Sequence, residues 1–274
     1  MPIEPPRADR PPDLLLQILS AMEAAGLDLG RLTYKDLLSL DQLQIGGVAH
    51  TRAMAMTAGI TENDRVLDIG CGIGGAARVI ASEFGADVLA IDRSETYINT
   101  ARALTSMALL DQSVAFEVQS APGLTLPNES CDVVWLQLVL MNIESKAALY
   151  TEISELLRPG GRLALFDVVA DRSEPEISYP VIWAEDKADS HIVTVEQHRS
   201  MLSAAGFTDI EISDYTPVAL DWYDQVRWER SESHPPLSTG LLISGDAGLK
   251  SRHVQQALQD GQLKAIQLLA RSSR

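Results

Sequence analysis

Cysteine is scarce in this chain, which has two thiols, Cys71 and Cys131, among 274 residues. Neither belongs to a Cys-x-x-Cys pair, and no cysteine–histidine group has the spacing of a zinc site. These counts exclude a disulfide framework, and we predict no metal site. Isolated thiols are typical of a reducing compartment, so we expect a cytoplasmic protein.

Positive charge is scarce as well. Lys and Arg number 22 against 38 Asp and Glu, which gives a formal net charge of -16. A chain this acidic is repelled by nucleic-acid phosphates and by anionic membrane surfaces. Long apolar runs are also lacking, since none approaches the roughly 20 residues of a membrane span. We therefore expect neither nucleic acid nor membrane as a partner. The negative charge either serves solubility or attracts a cationic ligand.

What the sequence does contain is an alternation of short apolar strands and helices from Arg65 onward. Strands this apolar, without polar alternation, are typical of sheets covered on both faces. The pattern predicts an α/β fold, a Rossmann-like, doubly wound, mostly parallel seven-stranded sheet with helices on both faces. The predicted strands are 66–70, 87–92, 113–119, one within 131–141, 162–170, 208–216 and 264–272.

Three segments flank or interrupt this alternation. Residues 1–12 are rich in proline and charge and lack the apolar core of a signal peptide, which predicts a flexible tail. Residues 13–60 contain amphipathic helices, which we expect to form a cover on the sheet domain of 61–274. Residues 171–195 interrupt the rhythm after the fifth strand with prolines and acids. We predict that this insertion shapes a ligand pocket.

The stretch VLDIGCGIGG, residues 66–75, matches G-x-G-x-x-G from Gly70 to Gly75. Such glycines at the end of a strand allow a tight turn and a close approach of a ligand at the carboxyl edge of the sheet. The match alone also fits a nicotinamide-dependent oxidoreductase or a plain turn. Two acids add information. Asp68 can hold a loop amide or an ammonium group, and Asp92 ends the next strand, where a carboxylate can accept both hydroxyls of a ribose.

DIGCGIGG (68–75) resembles the first motif of class I S-adenosylmethionine-dependent methyltransferases. Further stretches resemble motifs of the same class, namely LPNESCDVVW (126–135), LRPGG (157–161) and AGF (205–207). Others resemble its small-molecule, sarcosine/dimethylglycine N-methyltransferase-like group, namely DQLQIGGVAHT (41–51), MNI (141–143) and YPVIWA (179–184). The chain departs from that group at Gln44, where the group has histidine, and at 119–121, where many relatives have an aspartate.

The resemblance implies S-adenosylmethionine as the cofactor and assigns residues to its parts. The turn would approach the methionine moiety with Gly70, Gly72 and Gly74, and the cover would touch its carboxylate with Gly47 and Thr51. The nucleoside would lie against Asp92 at the ribose and against Arg93, Ser120 and Ala121 at the adenine. Gln137, after the fourth strand, would lie near the sulfonium.

The resemblance also implies methyl transfer to a small-molecule acceptor, such as an amine. O- or C-methylation of a specialised metabolite stays open, as do a nicotinamide-dependent oxidoreductase and a non-catalytic cofactor-binding protein. A hydroxyl or carbon acceptor needs a general base. Among the candidates His50, His191 and His198 we favour His50, because it follows the glycine pair of the cover. Tyr179 and Trp183 of the insertion are the predicted walls of the acceptor pocket.

Overall fold

The computed structural model describes residues 14–42, 45–232 and 237–273, without the side chains of 226–232. The predicted tail 1–12 and Gln44 lie outside the described residues. A central sheet separates two layers of helices. None of the helices in the described part of the chain combines the length and the apolarity needed to cross a membrane.

The sheet has seven strands in the order β3-β2-β1-β4-β5-β7-β6. Pairing is parallel from β3 to β5, whereas β7 runs antiparallel to both of its neighbours, β5 and β6. This arrangement confirms the predicted doubly wound, mostly parallel sheet. The strands are β1 Arg65–Ile69, β2 Asp87–Asp92, β3 Val114–Val118, β4 Cys131–Gln137, β5 Leu157–Ala170, β6 Phe207–Asp214 and β7 Leu263–Ser272.

Nine helices of at least eight residues are found within the described ranges. Three lie in the segment predicted as a cover: α1 Leu14–Ala24, α2 Tyr34–Asp41 and α3 Gly47–Thr57. The others are α4 Gly75–Phe84, α5 Glu95–Met107, α6 Lys146–Leu156, α7 Val195–Ala204, α8 Thr216–Glu232 and α9 Ala247–Gln259. Buried residues alternate along the strands between two cores, so each face of the sheet has its own helices.

One face carries the core built by α3, α4, α8 and α9, and we call it the cover face. Trp135 of β4 and Phe166 of β5 are its largest fully buried side chains on the sheet. The opposite face packs against α6 and α7. The carboxyl ends of the parallel strands meet at one edge of the sheet, and the glycine-rich turn between β1 and α4 lies there.

Two elements differ from the sequence prediction. The pattern does not predict α8, because its described buried residues, Ala219 and Tyr223, make only a narrow stripe. The predicted fifth strand, 162–170, is longer in the structure, where β5 also includes LRPGG (157–161), because Leu157 already pairs with Cys131 of β4. The register then shifts between Cys131 and Val133, so the strand absorbs the two glycines as an irregularity.

Candidate active site

The glycine-rich turn contains one position that faces open space. At Gly72, φ is +56° and a Cβ atom would meet nothing within 4 Å. By contrast, a Cβ atom on Gly70 would lie 2.6 Å from Val139 Cγ2, and one on Gly74 would lie 2.8 Å from Phe116 Cζ. Gly70 and Gly74 are therefore needed for packing against neighbouring side chains, whereas Gly72 leaves its backbone accessible to a ligand.

Asp92 is held beside this turn at the end of β2. Its Oδ2 accepts a hydrogen bond of 3.0 Å from the Gly72 amide, and its Oδ1 accepts one of 2.8 Å from the Ser94 amide. The two backbone donors fix the orientation of the carboxylate at the carboxyl edge. Arg93 is exposed next to it. Asp92 and the turn are thus brought together as the sequence predicts.

The loop after β3 lies next to Asp92. Asp92 is the register partner of Val118, and the Gln119 amide donates to the Asp92 carbonyl over 3.2 Å. Ser120 is exposed and Ala121 half-buried in this loop. The predicted neighbours of an adenine therefore follow directly on the strand that pairs with β2.

Asp68 is an uncompensated acid beneath the turn. Its side chain is 2% exposed, and its Oδ2 has no hydrogen-bond partner within the described structure. Burial raises the pKa of Asp68 to about 7, and the charge of Asp92 adds to the effect. A buried carboxyl of this kind favours a cationic partner, since a nearby positive charge stabilises its ionised form.

A chain of polar side chains links β4 to the cover. Trp135 Nε1 donates to Gln137 Oε1 over 3.2 Å, and Thr51 Oγ1 lies 3.4 Å from the same oxygen. Thr51 Oγ1 is also 3.2 Å from Gln42 Oε1, and Gln42 Nε2 donates to Asp41 Oδ1 over 2.9 Å. Thr51 and Gln137, both predicted to contact a cofactor, are thereby placed together at the edge of the sheet.

The cover is clamped onto the glycine-rich turn by a buried ion pair. Arg78 of α4 donates to Asp41 Oδ2 over 2.8 Å and to the Ile73 carbonyl over 2.7 Å, and both charged side chains are 1% exposed. A Cβ atom on Gly75 would lie 2.1 Å from the Asp41 carbonyl oxygen. This ion pair is not predictable from the sequence pattern. Its one local signal is an arginine on the buried side of α4.

His50 lies in the core of the cover face, where it packs on Phe166, the register partner of Gln137. Its ring contacts Phe166 at 4.0 Å and Tyr215 at 5.0 Å between centroids, and Nε2 has no hydrogen-bond partner in the described structure. Burial lowers the pKa of His50 to about 4, so the imidazole is neutral at pH 7. The preceding Gly47 lies close to α8, since a Cβ atom there would be 3.9 Å from Trp222 Nε1.

The other histidine candidates have structural partners. His198 lies on the opposite face of the sheet, where its Nδ1 is 2.6 Å from the Tyr150 hydroxyl. The His191 amide donates to the Met141 carbonyl over 2.9 Å, and its own carbonyl accepts from Lys146. His191 therefore ties the insertion to the loop after β4.

Tyr179 and Trp183 lie in the insertion and are both half-buried against the core of the cover face. Trp183 Nε1 donates to Ser190 Oγ over 2.9 Å within the same insertion. The insertion is also held to α9, because His253 Nδ1 is 2.8 Å from the Pro180 carbonyl oxygen. These contacts account for the two aromatic rings by packing, and their predicted contact with an acceptor stays a prediction.

A family model described as a methyltransferase domain matches residues 60–215. Phosphoethanolamine N-methyltransferase 1 of Arabidopsis thaliana is 30% identical over 187 residues, which are 68% of this chain and 37% of that protein. This chain therefore spans little more than a third of that plant relative.

Solved structures with the same fold include a Haemonchus contortus phosphoethanolamine N-methyltransferase 2 in complex with phosphomonomethylethanolamine and S-adenosylhomocysteine. It superposes with a TM-score of 0.73 at 23% identity, covering 93% of this chain and 57% of that one. A second is a putative sarcosine dimethylglycine methyltransferase from Galdieria sulphuraria, with a TM-score of 0.65 at 20% identity, covering 83% and 86%.

Proposed function

This chain belongs to the methyltransferase family, and from that premise we propose that it transfers a methyl group from S-adenosylmethionine to a small-molecule acceptor. The observation that carries the proposal is the pair of acids at the turn, Asp68 with a buried unpartnered oxygen and Asp92 fixed by two amides. The pair suits a ligand that has a cationic end and a ribose.

The rival dinucleotide fits these residues poorly. A dinucleotide places its pyrophosphate at the N-terminus of the helix after the turn. Here the Asp41 backbone packs directly against Gly75, the first residue of α4, since a Cβ atom on Gly75 would lie 2.1 Å from the Asp41 carbonyl oxygen. Asp68 and Asp92 would in addition repel a pyrophosphate, whereas they attract the ammonium and sulfonium charges of S-adenosylmethionine.

The residues at this site can hold S-adenosylmethionine, each at a different part of the molecule. Asp68 would face the ammonium group, the backbone at Gly72 would lie along the methionine moiety, and Asp92 would accept the ribose hydroxyls. Gln137, which ends β4, would lie at the methyl group. Thr51 of α3, whose Oγ1 is 3.4 Å from Gln137 Oε1, would lie beside it, toward the methionine carboxylate. When bound, the cofactor supplies a methyl group activated by a sulfonium leaving group.

The chain itself then contributes alignment, exclusion of water and control of a proton. Alignment of two reactants can supply roughly 7–11 kcal/mol of the barrier. The cover excludes water because α2 and α3 are held over the turn by the Arg78–Asp41 pair and by the polar chain through Thr51. His50, which is neutral and has an unpartnered Nε2, would accept the proton of a hydroxyl acceptor.

The cofactor assignment predicts a pH-dependent affinity. Because the Asp68 carboxyl has a pKa of about 7 and an ammonium group binds its ionised form, affinity for S-adenosylhomocysteine should rise with pH through 7 and level off above it. Between pH 6 and pH 8 the gain is about tenfold. Calorimetry from pH 5.5 to 8.5 measures it. Asp68→Asn should bind more weakly and show no pH dependence, and NAD should not bind the wild-type protein.

A wild-type affinity that is flat across this range, together with an unchanged affinity in Asp68→Asn, would remove Asp68 from the cofactor site. Binding of NAD, with no binding of S-adenosylhomocysteine, would overturn the proposed function as a whole.

For a hydroxyl acceptor, replacement of His50 is expected to slow methyl transfer while sparing the cofactor. His50→Ala should lower turnover by about 10²-fold, the lower end of the usual contribution of a general base because a pKa of about 4 makes the imidazole a weak base, with S-adenosylhomocysteine affinity nearly unchanged. The readout is single-turnover methyl transfer from labelled cofactor, scored by mass. His50→Phe keeps a ring against Phe166 and Tyr215 without a proton acceptor, so it separates chemistry from packing. Full turnover in His50→Phe would show that His50 only packs.

A further inference from the structure

Three side chains form a continuous row across the cover face at the carboxyl edge. Gln137 of β4 pairs in register with Phe166 of β5, and Phe166 pairs in register with Gln267 of β7. Residues in register point to the same face of a sheet. Because neighbouring strands lie about 4.8 Å apart, Gln267 is roughly 10 Å from Gln137 across the row. The row is as long as a small acceptor molecule.

Gln267 is a buried amide without a partner. Its side chain is 4% exposed, and Oε1 makes no hydrogen bond within the described structure. Its neighbours along the same face of β7 are apolar, namely Ala265 and Leu269. Unpartnered buried amides are rare in native proteins because they lose their hydration without compensation. Stability does not account for this glutamine, so a ligand is the natural partner for its oxygen.

His50 of α3 contacts the same row from the helical layer of the cover face. It packs on Phe166, the central side chain, and its Nε2 is the second buried polar atom here without a partner. The two unsatisfied polar atoms thus belong to side chains that both adjoin Phe166. Both are uncharged, since a glutamine carries no charge and the His50 imidazole is buried beside aromatic rings with no acid bonded to it.

Three lysines on the flanking elements are already engaged, and Arg252 of α9 is exposed. Lys146 donates to the Ile143 carbonyl over 2.6 Å and also to the His191 carbonyl, Lys250 pairs with Glu185, and Lys264 pairs with Asp171. A phosphate or carboxylate on the acceptor would need a cation of this kind. Among the described residues these three are committed elsewhere, which favours an acceptor without an anionic group.

Resting on the proposed function, we propose that Gln267 determines acceptor specificity by accepting a hydrogen bond from an uncharged O–H or N–H group. The apolar body of the acceptor lies along the row beside Phe166, whose ring His50 already covers, and the group that is methylated faces His50 and Gln137. The substrate class is an uncharged, mainly apolar molecule with two separated hydrogen-bonding groups. It differs in this respect from the phosphobase found in the Haemonchus contortus structure.

The test uses two matched probes, hydroquinone and 4-methoxyphenol, with phosphoethanolamine as the charged comparison. Hydroquinone has a second O–H group for Gln267, and 4-methoxyphenol lacks it. Calorimetry on the full chain loaded with S-adenosylhomocysteine should show about tenfold tighter binding of hydroquinone, the usual effect of one satisfied buried hydrogen bond. In Gln267→Leu this preference should disappear, while S-adenosylhomocysteine affinity and Tm stay at or above the wild-type values.

A matched control is Gln255→Leu. Gln255 is a buried glutamine whose Nε2 donates to Asp224 over 2.7 Å, so its loss should lower Tm and leave the probe preference intact. Three results each overturn the proposal: no binding of hydroquinone at millimolar concentration, an unchanged preference in Gln267→Leu, or tighter binding of phosphoethanolamine. A protein that fails to bind S-adenosylhomocysteine overturns the proposed function instead, so the two failures are distinguishable.

Discussion

Replacing Arg78 by methionine is expected to lower the free energy of unfolding by about 3–5 kcal/mol. The guanidinium is fully buried, and its partners are the Asp41 carboxylate, the Ile73 carbonyl and the Thr105 hydroxyl. Burial already raises the pKa of Asp41, and Arg78 opposes that effect. Without Arg78, the Asp41 carboxyl is left buried and uncompensated. Urea denaturation measures the loss.

The same substitution should loosen the cover. Asp41 ends α2, and its backbone lies against the first residue of α4. Arg78→Met should therefore also weaken S-adenosylhomocysteine binding, whereas a purely local packing defect would not. In the double variant Asp41→Leu with Arg78→Met both charges are gone, and we expect part of the stability to return.

A second ion pair provides the control. Arg52 and Glu83 lie 2.7 Å apart with side chains 39% and 22% exposed, so they keep much of their hydration. Arg52→Met should cost about 0.2–1 kcal/mol. If Arg78→Met lowers the free energy of unfolding no more than Arg52→Met does, the buried ion pair does not hold the cover on the turn.

Asp92→Ala is expected to reduce affinity for S-adenosylhomocysteine at least about a hundredfold, because two ribose hydroxyls lose a charged acceptor. Calorimetry on the folded variant measures the change. Asp87 begins the same strand, β2, and is exposed at the opposite end. Asp87→Ala should leave the affinity unchanged and thus controls for a general effect of removing an acid from β2.

The substitution also removes the acceptor of the Gly72 and Ser94 amides, so the turn itself can move. The 2′-deoxy analogue of S-adenosylhomocysteine separates the two effects. Wild-type protein should bind this analogue more weakly than the parent compound, and Asp92→Ala should bind both equally. Discrimination that survives in Asp92→Ala would mean that another group contacts the ribose.

The parts of the molecule that follow from local sequence are predictable. The apolar runs give the strands of the sheet, and the stretch 68–75 gives the turn and its two acids at the carboxyl edge. These features depend on neighbouring residues and on the general rule that parallel strands end together. The placement of Asp92 next to Gly72 belongs to this class, because Asp92 ends β2 and Gly72 lies in the turn directly after the neighbouring strand β1.

The parts that depend on distant pairs are not predictable in this way. Arg78 and Asp41 are 37 positions apart, and His198 and Tyr150 are 48 apart, so neither pair leaves a periodic signal. The place of Gln267 beside Phe166 cannot be predicted for another reason. It depends on the register of an antiparallel strand inserted between β5 and β6. Sequence periodicity gives the face of a residue but not its partner on the next strand.

The position of β7 also constrains the order in which the strands can pair during synthesis. Domains generally fold from the N-terminal side during synthesis. The strands up to β5 can pair as they leave the ribosome, but β6 is made before the strand that must separate it from β5. Until β7 emerges, two open strand edges coexist, and a premature β5–β6 pairing is a kinetic trap. The acidic side chains along β6, Asp209, Glu211 and Asp214, oppose such pairing during that interval.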